Sequence, residues 1–187
     1  MILEGAFPRL DAMRRRLRAL PIVRSEGGAV AIEFAVVALP FVGLIFAILE
    51  LAVVLLIFST LENGMADAAR TIRTGALQTA GGATAATFKT TICNNLGWLQ
   101  SDCNAKLQVD VRTVAAFTNP TLPDPYSTGT YDSTKTLFNM GSQGSIVVVR
   151  AWYPWQLILP TMNKALSRAN NGVALIQATT TFKNEPY

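Results

Sequence analysis

Apolar side chains run almost unbroken over residues 29–58, and only Glu33 and Glu50 carry charge within that block. Residues 34–49 hold no charge at all. A bilayer core about 30 Å thick takes about 20 helical residues, so residues 29–49 predict one membrane-spanning helix. Past the block the pattern changes period. Leu51, Val54, Leu55, Phe58, Leu61, Met65, Ala68, Ala69, Ile72 and Ala76 recur every three or four positions, while Ser59, Asn63, Asp67, Arg70 and Arg73 fall mainly on the other side. The spacing predicts that the helix continues, now amphipathic, to about Leu77, ending before the Ala-Gly-Gly at 80–82.

Residues 84–99 predict a second, shorter helix. Three strands follow: KLQVDVRTV (106–114), alternating apolar and polar; SIVVVRAWY (145–153), denser and therefore central, with Pro154 ending it; and GVALIQATTTF (172–182). Between the last two, residues 159–172 predict a short helix stopped by Asn and Gly. Residues 118–144, rich in Pro, Gly, Ser and Thr, predict a long loop suited to disorder or interaction. The elements add up to an α+β fold, a long N-terminal helix packed on a small antiparallel sheet. The tryptophans and tyrosine of RAWYPWQ are placed in the core or at the sheet end, with a subunit contact as the alternative.

Charge sharpens this picture. The 187-residue chain is 50% hydrophobic and carries a net charge of +4. Most of that excess sits in the first 28 residues, where Arg9, Arg14, Arg15, Arg16, Arg18 and Arg24 face only Glu4, Asp11 and Glu26. A basic flank before the apolar block stays on the cytoplasmic side, which puts the N-terminus inside and residues from about 60 onward outside. The high pI belongs to the leader; no basic stripe interleaved with aromatics appears, and no nucleic-acid partner is expected. A cleavable secretory signal would have a shorter core and a small-residue cut after it. A transit peptide would be poorer in acid than residues 1–20. An uncleaved anchor carrying a domain remains the plain alternative.

Histidine is absent, which removes the usual general base and most zinc chemistry. Asp102, Asp110, Asp124 and Asp132 show no paired spacing, so neither an enzyme nor a cofactor is expected. Asp124 and Asp132 are too isolated to make a calcium site.

The stretch GG-AVAI-EF (27–34) resembles the processing site of class III signal peptides, as in type IV pilins. Together with "ALP" at 38–40, the Ala- and Arg-bearing GMADAARTIRTGA, the two cysteines and the closing NEPY, the chain resembles TadE/TadF-like minor pilins (pseudopilins) of the tight-adherence, or Flp, pilus system. Phe34 stands where tyrosine is also common. The resemblance implies a pilin-like fold and a cut by a prepilin peptidase between Gly28 and Ala29, or one residue earlier, after Gly27. Residues 1–28 would then be a cytoplasmic leader, 29–58 the transmembrane segment and 59–187 the exported α+β domain of a bacterial inner-membrane protein.

Other pilin and pseudopilin subunits, the inner-membrane Tad assembly platform and membrane lipid are the implied partners. Glu33 and Phe34 become assembly residues, with Pro40 loosening the span. Cleavage frees an α-ammonium at Ala29 in an apolar setting, where a lone charge is costly. A carboxylate one turn away, on the same or a neighbouring subunit, pairs with it and fixes register. Glu50 shares the face of Glu33; solvation at the outer boundary is its first reading and a bundle-facing role its second. In an exported domain Cys93 and Cys103 are expected to form a structural disulfide. The rival readings are an uncleaved anchor displaying a periplasmic binding module, and a tethered enzyme should two carboxylates meet in a pocket.

Overall fold

In the computed structural model the described residues are 26–187, apart from 82, 119, 160, 161, 163–165 and 171. Residues 1–25 of the basic leader, with its six arginines, lie outside them. The chain divides into two compact units at Phe46/Ala47, each described by itself.

Helix α1 spans Glu26–Arg73 with Pro40 inside it. Proline removes one helical hydrogen bond, a loss that membrane helices tolerate. In the first unit, apolar side chains are exposed on every side of α1: Val30, Phe34, Val37, Leu39 and Leu44 all stand open. The span has a mean hydropathy of 3.0 and is long and apolar enough to cross a membrane. A helix apolar all round is made for lipid or for other helices.

Within the second unit α1 has a buried stripe at Ile57, Leu61, Met65, Ala68 and Ile72, spaced 4, 4, 3 and 4 as one helix face requires. Arg70 and Arg73 occupy its last turn, where cations suit the negative end of the helix dipole. The helix stops before Leu77 because Gly75 takes a left-handed φ of 77°, the usual chain-terminating conformation. A β-carbon on Gly75 would sit 2.1 Å from the Tyr187 ring. A single helical turn, α2 (Ala76–Thr79), follows.

The expected second helix is three pieces. α3 (Ala85–Cys93) begins with a reciprocal cap, in which the Thr84 hydroxyl accepts the Thr87 N–H at 3.2 Å and the Thr87 hydroxyl accepts the Thr84 N–H at 3.0 Å. A 3₁₀ stretch (Asn94–Leu99) is broken by Gly97 at φ 52°, and α4 (Gln100–Lys106) resumes the helix. The Cys93–Cys103 disulfide, Cα–Cα 5.6 Å, ties α3 to α4. Gly64 lets α1 approach this layer: a β-carbon there would lie 2.6 Å from the Ile92 carbonyl oxygen.

Strands β1 (Gln108–Val114), β2 (Ile146–Gln156), β3 (Ser167–Ala169) and β4 (Val173–Lys183) form an antiparallel sheet in the order β1-β2-β4-β3. Val109, Val111, Val147, Val149, Ala151, Tyr153, Ile176 and Ala178 line one face and share a core with the α1 stripe, Phe88 and Ile92. The architecture is α+β. β2 runs past the expected stop at Pro154, which pairs with Leu175 of β4. β3 replaces part of the helix expected over 159–172. Gly172, at φ 72°, lies in the turn from β3 into β4, where Ser167 pairs with Ala174 and Ala169 with Val173. Other positions of that expected helix lie outside the described residues.

Candidate functional site

Gly28 and Ala29 lie near the N-terminal end of α1. Glu33 follows Ala29 by four positions, so the two stack on one helical face about 6 Å apart along the axis. Ala29, Glu33, Phe34 and Pro40 are all exposed, Phe34 by 72%. The Glu33 carboxylate makes no hydrogen bond or ion pair among the described residues. From Ala29 to Leu49, Glu33 is the one acidic group on an otherwise apolar stretch of helix, a point contact for a cation arriving with another helix.

Glu50 corrects the expectation of a solvated boundary residue. It is only 6% exposed. Its carboxylate accepts the backbone N–H groups of Ile158 and of Leu159, the latter at 3.2 Å. Counting back by helix turns from Leu61 through Ile57 and Val54 reaches Glu50, so it lies on the stripe that α1 buries. That register was visible in the sequence; the two backbone donors were not. Glu50 holds the segment after β2 against the helix.

The second charged feature is on the other sheet face. Asp110 on β1 is 0% exposed and directly opposite Arg150 on β2. Its carboxylate accepts from Arg150 Nη2 at 2.7 Å, from Arg112 Nε at 2.8 Å and from the Leu137 N–H at 2.8 Å. Burial works to raise the Asp110 carboxyl, but the Arg112 and Arg150 hydrogen bonds, the Leu137 N–H and the Arg150 charge outweigh it, leaving the group below the usual carboxylate range.

The arginines also donate to the loop. Arg150 donates to the Pro123 carbonyl at 2.8 Å and Arg112 to the Lys135 carbonyl at 2.9 Å. Arg150 lies over the Trp152 ring, 4.8 Å from its centre, and Tyr126 packs on Trp152 and Tyr131. Burial, helped by Tyr131, pushes the Tyr126 hydroxyl up to about 12. Described residues of the 118–144 loop are thus fastened over this face. Trp152 and Tyr153 are buried, and Trp155 is half-buried against exposed Trp98.

Asp102, Asp124 and Asp132 are each held within the structure of the domain. Asp102 accepts the Tyr153 O–H and pairs with Lys106 at 2.7 Å. Burial and the Asp102 carboxylate raise the Tyr153 hydroxyl, while the Asp102 carboxyl is lowered, burial there being outweighed by the Lys106 and Tyr153 hydrogen bonds. Asp124 accepts the Tyr126 N–H at 2.9 Å and Asp132 the Thr134 N–H at 3.0 Å. Each closes its own turn. Among the described residues no group of three His, Cys, Asp or Glu side chains could hold a metal.

Residues 28–70 match the family model described as TadE-like protein. The match supports a TadE-like protein of the Tad pilus system and, with the single apolar helix, fits membrane anchoring. No curated protein and no solved structure matches the chain.

Proposed function

We propose that this TadE-like chain is a minor pilin or pseudopilin that assists assembly, priming or capping of a Tad/Flp-type pilus. A prepilin peptidase cuts after Gly28 and removes residues 1–28. Residues 29–58 stay in the inner membrane with the N-terminus inside, and residues 59–187 form the exported domain. The work done is assembly by helix packing. Glu33 pairs with the new Ala29 ammonium of its own or a neighbouring subunit, Phe34 and the apolar surface around it pack against sister helices, and Pro40 gives the span local freedom. The partners are the peptidase, other pilin and pseudopilin subunits, the inner-membrane Tad platform and lipid.

The observation that carries this reading is the family match itself. It begins at Gly28, the residue before the proposed cut, and it covers an apolar helix whose first unit leaves its surface open. The stacking of Ala29 and Glu33 one turn apart supports the pairing. A buried ion pair adds little net stability, but removing one member strands the other, so it acts as a register check.

The deciding experiment is intact mass and N-terminal sequencing of membrane-extracted protein, from cells with and without prepilin peptidase. A chain starting at Ala29 only when the peptidase is present is the expected result. A chain starting at Met1 in both would discard the mechanism in favour of an uncleaved anchor displaying a periplasmic binding module.

A further inference from the structure

The two edges of the sheet are finished differently. The β1 edge is bridged at its middle, where the Val111 N–H donates to the Leu137 carbonyl and the Val111 carbonyl accepts the Asn139 N–H, both at 2.7 Å, a parallel bridge to the loop. β4 pairs with β3 only at Val173 and Ala174. Over residues 175–183 its backbone pairs with β2 alone among the described residues, in unbroken register. That stretch, LIQATTTFK, is rich in β-branched side chains and contains no proline. An open edge of this kind is a template for another strand unless it is blocked, and only Lys183, at its end, carries charge.

A groove of about 600 Å³ runs beside this edge, with Ala66, Ala69, Arg70 and Arg73 of α1 on one side and Thr180 and Phe182 of β4 on the other. The alanines leave room for side chains of an added strand. Arg73 is paired with Glu185 at 3.0 Å. Arg70 is exposed and, like Lys183, has no acidic partner among the described residues.

We propose that the free β4 edge and this groove form a docking site for an extended, acidic segment of a partner polypeptide. The segment adds as a strand along residues 175–183, lays small or apolar side chains over Ala66 and Ala69, and sets a carboxylate against Arg70. The unpaired backbone calls for a strand in preference to a helix. The basic rim formed by Arg70 and Lys183 selects acid.

The test uses the full chain in detergent and three labelled peptides of about nine residues, the length of the open edge at about 3.3 Å per residue. All alternate Thr and Val; one carries two Glu, one two Lys, and one is the Glu peptide with a central Pro. The Glu peptide is expected to bind about tenfold more tightly than the Lys peptide, to weaken with salt, and to slow amide exchange over residues 175–183. The Pro peptide should fail. Arg70→Glu, at an exposed position, should invert the preference while amide exchange in β2 stays unchanged. Equal binding of the Glu and Lys peptides, or binding without slower exchange in β4, would overturn the proposal. So would edge amides protected in the chain alone and released on dilution, which would make a second copy the occupant.

Discussion

The two units of this chain invert the usual placement of side chains. In the first, residues up to Phe46, leucine, valine and phenylalanine stand exposed all around α1. In the second, Glu50, Asp110 and Arg150 are buried. Hydropathy alone accounts for neither. An apolar surface is stable when its surroundings are apolar too, and a charge can be buried when hydrogen bonds replace its water. α1 shows the change within one element. After Glu33 its first stretch has no polar residue to define an outer side, whereas Asn63, Asp67 and Arg70 give the later stretch one.

The hardest way to break this contrast is to strand a buried charge. Asp110→Ala leaves Arg150 buried with its carboxylate partner gone, and a loss of about 3–5 kcal/mol is expected, read by chemical denaturation of the full chain in detergent. The pH dependence has a definite sign. The folded Asp110 carboxyl titrates below its unfolded value of about 3.9, so its contribution is complete above that pH and disappears as pH falls through the lowered folded value. Tyr153 works from the other side. Raised in the fold, it contributes fully below about pH 10 and loses that contribution as pH climbs toward its folded value. Asp110→Asn should flatten the acid limb and leave the alkaline limb intact; an unchanged acid limb would move the effect to other carboxylates.

Next in size is the buried stripe of α1. Leu61→Ala, at a fully buried position, should cost about 2–5 kcal/mol through lost contacts and the cavity left behind. Glu50→Ala should cost about 1–3 kcal/mol, because the Ile158 and Leu159 N–H groups lose their acceptor. Faster amide exchange at those two residues would tie the loss to the tether; unchanged exchange would show that Glu50 is not what holds the segment.

Much of this architecture was legible beforehand where a period or a spacing carried it. The apolar block, the α1 stripe through Ile72 and the alternation of β1 all follow from positions in the chain. What could not be read was long-range pairing. Nothing in the spacing of the chain pairs Arg150 with Asp110; only the register of β2 with β1 sets them opposite each other. Gly172 was expected to stop a helix, and only the pairing of β3 with β4 places it in a turn between strands. For Ala29, Glu33, Phe34 and Pro40 the sequence motif carries more than the isolated chain does, because their proposed partners belong to other molecules.

The smallest expected effect is the sharpest test of the comparison. Leu44→Ala removes as many atoms as Leu61→Ala from the same helix, at a position that is 58% exposed instead of buried. If the first stretch owes nothing to packing within the chain, the denaturation midpoint should stay within about 0.5 kcal/mol of the unaltered protein. Membrane insertion should also persist, since one leucine contributes only about 0.3–0.6 kcal/mol on the insertion scale to a span of mean hydropathy 3.0. A loss matching that of Leu61→Ala would mean that residue 44 has a packing partner within the chain. The exposed cylinder would then be part of a core, and its availability for lipid and sister helices would have to be given up.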